Sequence, residues 1–289
     1  MKYNKKTDRP PKNRKRLLAK KHWGQNFLTN KNIKDRIISS CGLQPEDHVL
    51  EIGPGYGALT EDIIQIVSRY TGVEKDKNLI AHLTEHFSMG KPTTLAEEKK
   101  EIIFIQGDIL KYDFSTLAGP LKVIGNLPYN ISSPILEKVI GYKNIIKECY
   151  FTLQLEFGKR LIAQCHTKDY GALSLCVQHH FHPKILFKIP GTSFRPVPKV
   201  TSCLVKLSPI ESKLSPKEED LLFNIIHWAF EQRRKKILNS LGNRLGMENI
   251  RTILDRLAIN ENLRAENLTL NNYTEISSQI LHNKPDGKI

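Results

Sequence analysis

The ten residues His48 to Gly57, HVLEIGPGYG, limit the fold more than any other stretch of the chain. A short, largely apolar run reads as a buried strand, and three glycines at alternate positions then bring it to a sharp turn. Beyond the turn, Leu59, Ile63, Ile64 and Val67 recur at helical spacing. Strand, glycine turn and helix together open a βαβ unit.

The same alternation continues downstream. Tyr70–Glu74 reads as a second strand, and Leu79, Leu83 and Phe87 mark the next helix. Ile102–Ile105 is a third strand, Leu121–Ile124 a fourth and Cys149–Leu155 a fifth, with a helix over Pro134–Ile140. Asn32–Ser40 is a short helix ahead of them all. Right-handed crossovers put the C-terminal ends of such strands on one edge of a mostly parallel sheet. Gly53, Glu74, Asp108 and Asn126 then meet at one crevice. Phe187–Ile189 and Ser202–Leu207 read as antiparallel strands, and from about Ser215 the apolar spacing is helical throughout. The expected division is a basic tail (1–20), an α/β domain (21–207), a proline-bounded linker (208–216) and a small all-helical domain (217–289).

The glycines Gly53, Gly55 and Gly57 let the backbone turn and approach a ligand closely. The strict dinucleotide spacing G-x-G-x-x-G is not met, because Ala58 stands at the third glycine position. Glu74 follows Gly53 by 21 residues, where a carboxylate accepts from the two hydroxyls of an adenine nucleoside's ribose. Asp108 ends the next strand and suits the exocyclic amine of the adenine. A dinucleotide and S-adenosylmethionine both carry these groups.

The fourth strand runs into Asn126-Leu127-Pro128-Tyr129. The Asn126 amide oxygen and the Leu127 carbonyl are acceptors for an aromatic amine. Pro128 fixes the chain direction, and Tyr129 offers a flat face to a base. Such a site aligns an amine with an already activated methyl group and needs neither a metal nor a cysteine nucleophile.

These motifs taken in order resemble the small-subunit ribosomal RNA adenine N6,N6-dimethyltransferases. The blocks are GQNFL at Gly24–Leu28, EIGPGYG at Glu51–Gly57, NLPYNISSP at Asn126–Pro134, KDYGALS at Lys168–Ser174, FRPVPKVTS at Phe194–Ser202, AFEQRRK at Ala229–Lys235 and RAENL at Arg264–Leu268. The resemblance spans about residues 20 to 280 and implies a Rossmann-like methyltransferase sheet, with S-adenosylmethionine as cofactor. It assigns cofactor contacts to Asn26, Leu28, Gly53, Gly55, Glu74, Asp108 and Asn126, and target-base packing to Tyr129 and Phe194. It implies dimethylation of two adjacent adenosines near the 3′ end of small-subunit ribosomal RNA, the RNA or the immature subunit being the partner. Two features depart from the family: Gln154-Leu155-Glu156 replaces Gln-Lys-Glu, and the polar excursion at 88–100 is long.

Charge agrees with a polyanionic partner. The net charge is +14, and residues 1–22 hold ten Lys or Arg against Asp8 alone. Arg233, Arg234, Lys235 and Lys236 form a second basic run, expected to meet RNA phosphates. The five cysteines form no C-x-x-C pair and read as reduced thiols of a cytoplasmic protein. His179, His180 and His182 read as strand residues with no acid or cysteine to complete a metal site, so no metal is expected. No apolar run is long enough to cross a membrane, no secretory leader is read at the N-terminus, and a monomer is expected. The competing readings are a large-subunit RNA methyltransferase of the drug-resistance type, an RNA-binding assembly factor without turnover, and a dehydrogenase.

Overall fold

The computed structural model describes residues 25–88 and 100–282. The basic tail and all but the ends of the 88–100 excursion lie outside these residues. Chain order runs β1 (Phe27–Leu28), α1 (Lys31–Cys41), β2 (His48–Ile52), α2 (Thr60–Ile66), β3 (Arg69–Glu74), α3 (Lys77–Ser88), β4 (Glu101–Gln106), β5 (Leu121–Asn126), α4 (Ser132–Gly141) and β6 (Ile146–Gln154). There follow α5 (Leu155–Ile162), α6 (Ala172–His180), β7 (Phe181–Ile189), β8 (Phe194–Arg195), β9 (Ser202–Pro209), α7 (Pro216–Glu231), α8 (Ile237–Leu245), α9 (Met247–Arg256) and α10 (Leu270–His282).

Seven strands form one sheet in the order β4-β3-β2-β5-β6-β9-β7. Neighbours from β4 to β6 are parallel, whereas β9 is antiparallel to both β6 and β7. From β2 the chain builds outward through β3 to β4, then returns to place β5 on the other side of β2. The order in which strands are added therefore reverses between β2 and β5, which stay parallel, and a crevice opens where the connections from their C-terminal ends part. Helices cover both faces. One core packs Val123, Phe151 and Val205 beneath α4 and α5; the other packs Val49, Ile124 and Leu204 beneath α1 and α2.

Local sequence explains the element ends. Asn30 caps α1 by accepting from the Ile33 N–H, and Gly42 closes it in the left-handed region. Ser215 and Glu218 form a reciprocal capping box at α7, with Pro216 in its first turn.

A separate core fills the C-terminal helices, built on residues such as Ile225, Leu241, Ile253 and Ile276. It also takes in Ala163, Tyr170 and Leu175 from the segment around α5 and α6. The Tyr170 hydroxyl donates to the Leu268 carbonyl at 2.9 Å. The helical packing thus begins well before the linker.

The histidines require a correction. His179 and His180 close helix α6, and only His182 lies on a strand. The apolar run LSLCV preceding them was compatible with either element; packing against α5 and α7 makes it a helix. An acid also stands beside them. Glu219 on α7 accepts from His179 Nε2 at 3.1 Å, and ligand-type atoms of His179, His180 and Glu219 lie within 4.8 Å of one another. The Lys143 ammonium is 2.9 Å from His180 Nδ1 and 3.3 Å from Glu219 Oε1. Burial works to raise the Glu219 carboxyl, but hydrogen bonds from Ser212, His179 and Lys143 bring it down to about 2. The cluster carries its own cation and ties α6 to α7.

Candidate active site

The glycine turn after β2 forms one wall of the crevice. Gly55 and Gly57 sit at φ +62° and +80°, where an L side chain is strained. A Cβ on Gly57 would stand 2.7 Å from the Phe87 ring, and one on Gly55 3.2 Å from Phe27. The turn can therefore lie flat against its neighbours, leaving its open side to a ligand. Beneath it, Glu51 is buried in β2 and accepts from the Thr60 hydroxyl and the Tyr70 hydroxyl, both at 2.7 Å. Burial outweighs these bonds and pushes its carboxyl up to about 7.

Glu74 ends β3 and is 6% exposed. It accepts from Gly55 N–H at 3.1 Å through one oxygen and from Asp76 N–H at 2.8 Å through the other. Burial raises its carboxyl, and the backbone donors oppose that rise. A carboxylate held this way keeps lone pairs for a diol. Asp108 follows β4. Its Oδ1 accepts from Leu110 N–H at 3.0 Å, and its Oδ2 from the Lys75 ammonium at 2.8 Å. The Lys75 bond is the main reason its carboxyl stays below the usual range.

Asn126 ends β5. Its Nδ2 donates to the backbone carbonyl of Asn26 at 2.7 Å, which orients Oδ1 as the acceptor. Leu127 N–H donates to Thr152 O at 3.2 Å. The Pro128 carbonyl is engaged by Ile131 N–H and the Ser132 hydroxyl. Among the described residues no donor reaches the Leu127 carbonyl. Tyr129 is half-buried, with its hydroxyl 2.8 Å from Ser202 Oγ at the start of β9. Its ring is thereby held while an adjoining face stays at the crevice.

Asn26, Gly53, Gly55, Glu74 and Asp108 all line this one crevice, together with Asn126, Leu127, Pro128 and Tyr129. Leu28 and Phe194 are not among the residues that line it. They are register partners in the two-stranded ladder of β1 with β8, and both side chains point into the core; Phe194 is fully buried. Successive strand residues face opposite ways, so it is Phe27 that turns its ring to the crevice. Phe194, as placed, has no face to offer a base.

Lys75 was missed by sequence reasoning. It also lines the crevice, and its only sequence signal is its place directly after Glu74.

The second basic run divides. Arg233 is bonded to Glu266 at 2.7 Å and to the Lys168 carbonyl at 2.9 Å, so it joins the α6 approach to the helical part. Lys236 donates to Asn262 at 2.6 Å. Arg234 and Lys235 are exposed in the α7–α8 turn and meet no acid among the described residues. No helix among these residues is long and apolar enough to cross a membrane.

A parallel sheet whose strand order switches between β2 and β5, with acids at two successive strand ends and an Asn-Leu-Pro-Tyr loop at a third, defines an S-adenosylmethionine-dependent methyltransferase. The family model described as ribosomal RNA adenine dimethylase matches residues 16–281, and the chain belongs to that family. It is 38% identical over 268 residues to "Ribosomal RNA small subunit methyltransferase A" of Aromatoleum aromaticum, covering 92% of this chain and 96% of the relative. The Proteus mirabilis protein of the same description is 39% identical, covering 91% and 94%. Among solved structures, a dimethyladenosine transferase from Plasmodium falciparum superposes with a TM-score of 0.74 at 25% identity, covering 86% of this chain and 95% of that one. The crevice suits S-adenosylmethionine chemically: a buried carboxylate for a diol, a flat glycine turn, and acceptors where an amine must be held.

Proposed function

We propose that the protein transfers methyl groups to N6 of two adjacent adenosines near the 3′ end of small-subunit ribosomal RNA, giving N6,N6-dimethyladenosine. Glu74 holds the cofactor ribose and Asp108 its adenine amine, while Asn26, Gly53 and Gly55 bound the amino-acid side. S-adenosylmethionine supplies a methyl group already activated on a sulfonium. The observation that carries the reading is the orientation of Asn126. With Nδ2 committed to Asn26, Oδ1 accepts from the target amine beside the Leu127 carbonyl. Two such acceptors favour a pyramidal nitrogen whose lone pair faces the methyl group. As the C–N bond forms and the S–C bond breaks toward sulfur, the nitrogen becomes acidic and its proton passes to water. Tyr129 holds the face of a base taken out of its stack.

In this reading residues 21–207 do the chemistry and 217–289 help hold the RNA, with Arg234 and Lys235 as the basic-run contacts. The similarity to small-subunit enzymes supports the immature small subunit as partner, and a monomeric cytoplasmic enzyme accords with it. The test is tritiated-methyl transfer to undermethylated small and large subunits, with nucleoside mapping. Dimethyladenosine on the small subunit is expected; label on the large subunit alone would overturn the assignment.

A further inference from the structure

The adenine end of the crevice holds a donor and an acceptor side by side. Asp108 is the acceptor, with one oxygen taken by Leu110 N–H and the other shared with Lys75. A carboxylate offers about four lone-pair sites, so these two bonds leave capacity for an incoming amine. Lys75 is the donor. Its ammonium carries three protons and commits one to Asp108 at 2.8 Å. Its side chain is 59% exposed, so it lies at the rim of the crevice with its remaining donors unburied.

Adenine presents a matching edge. Its exocyclic amine donates, and a ring nitrogen on either side of that amine, N1 or N7, accepts. An acid alone reads only the amine. An acid and an ammonium held 2.8 Å apart complement amine and ring nitrogen together.

We propose that Lys75 is a specificity-determining residue of the cofactor site, donating to the ring nitrogen next to the amine that Asp108 accepts. This rests on the reading that the crevice binds an adenine-bearing cofactor.

Calorimetry with S-adenosylhomocysteine and its 1-deaza and 7-deaza analogues separates the possibilities. The parental protein is expected to bind one of the two analogues about three- to tenfold more weakly than the natural nucleoside. Lys75→Met is expected to abolish that penalty, binding all three ligands alike, and Lys75→Arg to restore it. Lys75 is largely exposed, so neither variant disturbs the core, and circular dichroism checks the fold. A merely structural lysine would weaken all three ligands together and leave the penalty intact. An equal penalty in parent and Lys75→Met, or no penalty in the parent, overturns the proposal while leaving the cofactor reading in place. Failure of the parental protein to bind S-adenosylhomocysteine at all overturns the cofactor reading itself.

Discussion

The Asn126 side-chain amide donates to the backbone carbonyl of Asn26 at 2.7 Å, joining two residues 100 positions apart in the chain. The bond decides which end of the amide faces the target. Asn126→Asp keeps an oxygen in place but sets a carboxylate against a carbonyl, so the side chain must rotate away. Methyl transfer is expected to fall by orders of magnitude in both Asn126→Asp and Asn126→Ala, with RNA affinity little changed, because phosphate contacts supply most of it. Single-turnover rates at saturating cofactor check this; a parental rate in Asn126→Asp would remove the orienting role.

Tyr129 and Ser202 share a hydrogen bond of 2.8 Å. Tyr129→Phe and Ser202→Ala each remove it while keeping the ring, and each is expected to cost about 0.5–1.5 kcal/mol of ring placement at most. The same single-turnover assay should therefore show mild, similar losses in the two variants and a severe loss in Tyr129→Ala. A Tyr129→Phe variant as damaged as Tyr129→Ala would give the role to the hydroxyl.

Glu51 gives a pH dependence of stability. Its folded carboxyl stands at about 7, above its ordinary value of 4.5. Between those values the native state holds a proton that the unfolded chain has lost, so stability falls as pH rises through this window. The loss is at most about 3 kcal/mol. Glu51→Gln removes the titration, and its melting temperature should decline less than the parent's between pH 5 and 7.5. Parallel declines would show that Glu51 is ionised throughout.

The basic turn separates binding from stability. Arg234→Ala and Lys235→Ala should each lower the log–log salt slope of RNA binding by about 0.7–0.9 with no change in urea midpoint. Arg233→Ala should instead lower the urea midpoint, because Arg233 joins Glu266 to the Lys168 carbonyl. Filter binding across a salt series and urea melts on all three variants test the division; a slope change confined to Arg233→Ala would reverse it.

Much of this was legible in the residues. Short β-branched and apolar runs bounded by turn residues placed β2, β3, β4 and β5 to within two residues at either end, even though β3 carries Thr71 and Gly72 and β4 is only partly buried. Chain connectivity then carried Glu74, Asp108 and Asn126 to one edge. What was not legible depends on partners distant in sequence. The two-residue ladder of β1 with β8 sets which of Phe27 and Leu28 turns inward, and a motif match does not record that phase. Lys75 reaches Asp108 only because β3 and β4 are neighbours. Glu219 meets His179 only through the docking of α7 on α6.

That docking has a consequence for how the chain can be divided. Tyr170 and Leu175 precede the linker yet sit in the core of the C-terminal helices. A cut between Pro209 and Pro216 would leave both facing water on one fragment and an open socket on the other. The catalytic sheet and the helical bundle therefore cannot be exchanged at their apparent seam; a chimera that borrows the bundle from a relative must borrow α6 with it.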